Sequence, residues 1–265
     1  MTEHVPVVPR QAATVLVLRD SPEGPQVYFM RRPARSSFAA SAYVFPGGTV
    51  DDADSSPDVL ELAPNFDPAL AASRMRLAGD EACVAGLHVG AVREVFEETG
   101  ILIGTRADGS ALGEADAGTL ATARALLLGG TPFTEVLRHT HLRIAPERLV
   151  YVAHFITPEG ERRRYDTRFF AVEAPLEQEA AHHAAEATHS GWYTAAQALE
   201  MTGGDLMLML PPTRIMCTEV SAHGDTASVL GDLGEREVDA ILFTLDDVLG
   251  GRLPVTLPGA WPPPR

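Results

Sequence analysis

The chain contains no lysine; its 21 basic residues are all arginine. That absence excludes Schiff-base chemistry and the lysine-bearing phosphate loop of P-loop enzymes. Cysteine is nearly absent as well. Cys83 and Cys217 have neither metal-ligand spacing nor a partner pattern, and they read as reduced structural thiols of a cytoplasmic protein. No G-x-S-x-G serine elbow occurs. No apolar run is long enough to cross a bilayer. The opening Met-Thr-Glu-His-Val-Pro has neither a basic n-region nor an apolar h-region, so secretion is not expected. A formal net charge of -15 argues against nucleic acid or an anionic membrane held by a basic surface. It leaves room for an anionic small molecule, provided metal ions and local arginines screen the site.

What the chain does have is an apolar fraction of 45% over 265 residues, enough to bury a full core as one domain, expected over 1–265. Residues 93–100 read Arg-Glu-Val-Phe-Glu-Glu-Thr-Gly. On a helix, Glu94, Glu97 and Glu98 fall at i, i+3 and i+4 and share one face, while Val92, Val95 and Phe96 point to a core. Arg93 stands one turn before Glu97 and can brace it. Three neighbouring carboxylates repel unless a cation binds them, and oxygen ligands suit a hard divalent ion, Mg2+ or Mn2+. The competing reading is a solvated acidic face. It leaves unexplained why Arg93, the terminal Gly100 and an upstream Phe45-Pro46-Gly47-Gly48 all accompany the glutamates. A Gly-Gly turn lets backbone approach a metal or phosphate closely, because no side chain intervenes.

Together the two segments resemble the split halves of the Nudix box, G-x5-E-x7-R-E-U-x-E-E-x-G-U, with U a bulky apolar residue. The second half matches at Arg93, Glu94, Val95, Glu97, Glu98, Gly100 and Ile101. In the first half the box's glutamate falls on Asp54, and about 27 residues then intervene before the helix resumes, judged from motif spacing. An insertion there resembles the Nudix-type protein 19, or coenzyme A diphosphatase-like, branch. Residues 149–158 and 163–170, Glu186 six residues before Trp192, and Leu210-Pro211-Pro212-Thr213 extend the likeness along the chain. The resemblance implies an α+β Nudix fold, a mixed β-sheet sandwiched between α-helices. It carries an insertion at about 55–79 and a C-terminal helical extension at about 205–250. It also implies hydrolysis of a nucleoside diphosphate linked to X by metal-activated water.

The candidate metal ligands are Glu94, Glu97, Glu98 and, by the resemblance, the carbonyl of Gly48 or Gly47. Glu94, Glu97, Arg93 and Glu186 are the candidate catalytic residues. Either Glu94 or Glu186 could act as general base, with Glu177 and Glu179 as further options. Arg32, Arg35 and Tyr43 are candidate substrate contacts: arginine forks bind phosphate, and a tyrosine stacks on a base. The bland alternatives are surface ion pairs for the arginines and a core position for Tyr43. Coenzyme A or an acyl-coenzyme A leads among substrates, although Pro33, Ser37 and Ser41 stand where coenzyme A-cleaving members carry a small residue, a second arginine and a glycine. ADP-ribose, NADH and dinucleotide polyphosphates are the alternatives. A catalytically lapsed ligand-sensing domain is the rival from another class. The insert is expected as a lid, a surface decoration or a homodimer contact.

Strands are expected at 14–18, 27–30, 43–45, 101–103, 149–156, 165–172 and 186–192. Helices are expected at 69–77, 80–99, 120–128, 133–139, 194–200, 211–223 and 226–233.

Overall fold

Alternation along β1 (Arg10–Arg19) sets the architecture. Ala13, Val15 and Val17 enter one apolar core, and Leu16 and Leu18 enter a second on the opposite face. The same split recurs in β2 (Gln26–Arg31), where Tyr28 and Met30 face the first core and Val27 and Phe29 the second. In β8 (Tyr165–Glu173), Phe170 and Val172 oppose Phe169 and Ala171. A sheet buried on both faces needs apolar residues at nearly every position, which is why these segments read as continuous hydrophobic runs. The computed structural model describes residues 7–36, 39–183, 185, 187–204 and 206–243.

Among the described residues the main sheet has eight strands. Its path runs from β10 (Ala240–Leu242) through β7 (Val150–Ile156), β8, β1 and β2 to β3 (Tyr43–Val44). β4 (Gly47–Thr49) also pairs with β1, and β9 (His189–Thr194) with β2. The β1–β8 and β7–β10 pairs are parallel and the rest antiparallel, so the sheet is mixed, as expected. A separate two-stranded ribbon joins β5 (Gly104–Arg106) to β6 (Leu142–Ile144).

The first core is covered by α3 (Glu81–Thr99), α4 (Ala117–Leu128) and α5 (Phe133–His139). The second lies beneath α6 (Ala195–Gly203), α7 (Pro211–Val220) and α8 (Thr226–Glu235). The C-terminal extension therefore supplies α7 and α8 of this layer, beside α6; residues 244–250 of its expected range lie outside the described residues.

Two expectations change. Residues 101–103 form no ladder, although all three are fully buried. The side chain of Gln178 stands in for a partner strand, accepting from Leu102 N at 2.8 Å and donating to Leu102 O at 3.1 Å, and regular pairing begins only at β5. The insert joins the first core. Its helix α2 (Pro68–Arg74) packs on α3, α1 (Pro57–Leu60) packs on α5 and on the 3-10 turn at Asp52–Ser55, and Val59, Ala63, Ala72 and Met75 are buried there. Leu62 O accepts from Ile144 N at 3.0 Å, and Phe66 stacks on the buried His88 with ring centres 4.9 Å apart.

The insert thus helps hold the α3 side of the molecule. Met75→Ala removes a buried side chain from a closed site and is expected to cost about 2–5 kcal/mol. Urea unfolding measures this; an unchanged midpoint would show that the insert is only a surface layer.

Candidate active site

Asp80 caps the N-terminus of α3 by accepting from Cys83 N, and Gly100 ends it in the left-handed region at φ +77°. Between them Val92, Val95 and Phe96 are fully buried, which fixes the rotation of the helix about its axis. Glu94, Glu97 and Glu98 then emerge beside β4. All three line one cavity of about 630 Å³, together with Gly47, Gly48, Thr49, Asp51 and Arg93.

The approach of α3 to β4 demands glycine. A Cβ at Gly48 would lie 2.5 Å from the carboxyl carbon of Glu94. Gly47 takes φ +154°, where a side chain would run into the Ala13 carbonyl, and its N–H donates to Glu98 Oε2 at 2.8 Å. Gly86 and Gly90 do the same on the helix side. A methyl group at Gly90 would sit 2.9 Å from Asp54 Oδ2, and one at Gly86 3.0 Å from Val50.

Arg93 organises the acids. Its Nε and Nη2 donate to the two oxygens of the buried Asp54 at 2.9 and 2.8 Å, a bidentate pair. Nη2 also donates to Thr49 O at 3.1 Å. Nη1 turns the other way, to Glu94 Oε1 at 2.9 Å and, more loosely, Glu97 Oε1 at 3.4 Å. Burial works against the guanidinium charge, but Asp54, Glu94 and Glu97 together outweigh it, and the pKa of Arg93 lies above its ordinary value. Asp54 thus keeps the place of the box's first acid with one methylene fewer, and accepts from Asp51 N as well. Arg93, expected among the catalytic residues, has its guanidinium engaged by protein partners.

One guanidinium does not offset the acids. Burial pushes the carboxyl of Glu94 up to about 7 against the pull of Arg93, and Glu97 is raised for the same reason. Among the described residues no three His, Cys, Asp or Glu side chains already converge on one point. Arg93 and the Gly47 N–H hold the glutamates apart, so the cavity presents separate carboxylates.

The opposite wall comes from the β7–β8 hairpin, with Phe155, Thr157, Pro158, Glu161, Tyr165 and Thr167, and from the start of α7 at Leu210–Thr213. Sequence reasoning marked both segments by resemblance without assigning them to a cleft. The available signal was strand alternation, which turns Thr167 and Phe169 to the same side. Arg32 also lines the cavity, and its Nε is buried without a hydrogen-bond partner among the described residues.

The remaining expected contacts do not gather there. Arg35 is exposed in the loop before β3 and does not line the cavity. Tyr43 is buried in the second core beside His189, and its successors Val44 and Phe45 reach the cleft instead. Glu177 and Glu179 are exposed away from it, and Glu186 lies outside the described residues.

Two outcomes follow from these geometries. Asp54→Ala strands a buried guanidinium and is expected to cost about 3–5 kcal/mol in urea unfolding; a loss below 1 kcal/mol would show that Arg93 does not depend on the pair. Glu94 has its pKa raised in the fold, so its favourable contribution is complete below the unfolded value and is lost as pH rises through about 7. In EDTA the melting temperature of Glu94→Gln should gain on that of the parent protein between pH 5 and pH 8. A constant difference across that range would contradict the shift.

No family model matches the chain. Over 121 residues it is 34% identical to the acyl-coenzyme A diphosphatase NUDT19 of Gallus gallus, a match covering 36% of this chain and 32% of that relative's length. A solved Nudix hydrolase from Alicyclobacillus acidocaldarius superposes with a TM-score of 0.67 at 23% identity, covering 86% of this chain and 98% of the other. With the box residues on α3 and β4, these likenesses show that the chain has a Nudix fold and a partial sequence similarity to NUDT19.

Proposed function

We propose that the chain is a Mg2+- or Mn2+-dependent diphosphatase cleaving a nucleoside diphosphate linked to X. The observation that carries this reading is the meeting of Glu94, Glu97, Glu98, the Gly47–Gly48 turn and Arg32 on one cavity. The donor set suits a hard cation: every group is an oxygen, and Glu94 is buried beside the like-charged Glu97. Glu94, Glu97 and Glu98 would hold the ion, with the Gly48 carbonyl beside them. When bound, the ion neutralises phosphate oxygens and lowers the pKa of a water.

The chain's own groups then divide the remaining work. Arg93 Nη1 fixes Glu94 Oε1 and turns that carboxylate toward the cavity. Its other oxygen is left free for the ion or for a proton from the attacking water, which keeps Glu94 the candidate base among the described residues. Arg32 supplies a guanidinium for a substrate phosphate. Phe155, Ile156, Pro158, Leu210 and Pro211 give the far wall an apolar surface against which the non-phosphate part of the substrate can pack and exclude water. That wall, and the name of the chicken relative, favour coenzyme A or an acyl-coenzyme A as X. ADP-ribose, NADH and dinucleotide polyphosphates belong on the same panel as comparators.

The test is a substrate panel with Mg2+ and Mn2+, the products read by mass. A diphosphate substrate should be split into two phosphate-bearing halves, and EDTA should stop the reaction. Glu97→Gln should lower turnover by several orders of magnitude while the melting temperature in EDTA stays near that of the parent. Metal-independent cleavage, or near-normal turnover in Glu97→Gln, would overturn the assignment.

A further inference from the structure

The last turn of α3 carries Glu97 and Glu98, and a helix end leaves its final carbonyls without helical donors. Here each has a partner. Phe96 O accepts from Gly100 N at 2.9 Å, and Thr99 O from Ala181 N at 2.8 Å. The carbonyls of the two glutamates go to one side chain. Arg124, on α4, donates from Nε to Glu97 O at 2.9 Å and from Nη2 to Glu98 O at 2.8 Å. His183 N adds a second bond to Glu98 O at 3.1 Å. Gly100 makes room for this grip, since a Cβ there would lie 3.1 Å from Arg124 Nη1.

Arg124 is half-buried and does not line the cavity, so it is out of reach of the reacting atoms. Its planar fork bridges two successive carbonyls, which a single point charge cannot do. A cation at the C-terminal end of a helix also complements the helix dipole. The direction of Glu97 depends heavily on its backbone, because Arg93 reaches its carboxylate only at 3.4 Å and the side chain is partly exposed.

We infer that Arg124 is a positioning residue of this site: by locking the carbonyls of Glu97 and Glu98 it fixes the turn from which both carboxylates project. The role rests on the diphosphatase reading above. It is comparable to groups that orient metal ligands from behind, whose loss typically weakens metal affinity or activity on the order of 10- to 100-fold.

The experiment uses the full chain and Mn2+ alone as probe, with free Mn2+ counted by electron paramagnetic resonance. Arg124→Gln should weaken Mn2+ binding by about 10-fold or more. On whichever panel substrate the parent cleaves, kcat should fall with KM little changed. Arg124→Lys keeps one carbonyl contact and should lie between the two; it carries the test if Arg124→Gln does not fold. Parent-like Mn2+ affinity in a folded variant, with only the melting temperature in EDTA lowered, would reduce Arg124 to a structural cap and overturn the inference. If the parent protein itself binds no Mn2+, the diphosphatase reading fails first and the positioning role falls with it.

Discussion

The site depends on one buried guanidinium. Arg93 is almost closed to solvent, and a charge in that position is tolerated only if it is paired and hydrogen-bonded. Asp54 takes two of its donors and Thr49 O a share of one, which ties the 3-10 turn at Asp52–Ser55 and the end of β4 to α3. The remaining donor goes to Glu94 and Glu97. Deep and cavity-facing acids are thereby sorted by a single side chain: Asp54 lies deep and fully engaged, whereas Glu94 and Glu97 face the cavity with their pKa raised by burial. The excess of carboxylate over guanidinium is a local cost of folding that a bound divalent cation would relieve.

Close backbone approach is the second requirement. Gly47 and Gly48 on β4, and Gly86 and Gly90 on α3, remove the side chains that would hold strand, turn and helix apart. The insert backs this arrangement from the other side. Its buried Val59, Ala72 and Met75 share the core with α3, and Arg76 is ion-paired with Glu237 and Asp239 near β10. An insertion inside the box therefore adds to the core behind α3 and leaves the cavity wall to the β7–β8 hairpin and α7.

Much of this was legible in the sequence because it is local. The spacing of Glu94, Glu97 and Glu98 and the terminal Gly100 define a helix face and its end within a few residues, and α3 follows both. The β1, β2 and β8 strands were legible as apolar runs, since both faces of the sheet are buried. What escaped is what depends on distant partners. Residues 101–103 look like a strand, but the side chain of Gln178 satisfies them. Tyr43 and Arg35 sit in a promising stretch, yet the chain turns one into the core and the other to solvent. Arg124 belongs to no motif, and only the packing of α4 against the end of α3 brings it to Glu97 and Glu98. The insert's destination was equally invisible, because both of its ends emerge near the site whichever way the segment folds.

The central claim is that the acids sorted by Arg93 form the seat of a divalent cation. The most direct measurement is anomalous scattering from crystals grown with Mn2+. The account predicts a peak about 2.0–2.3 Å from oxygens of Glu94, Glu97 and Glu98, a span bracketing hard-cation coordination distances, with the Arg93–Asp54 pair intact behind it. A Mn2+ ion bound elsewhere on this acidic chain, with none at those three glutamates, would contradict it.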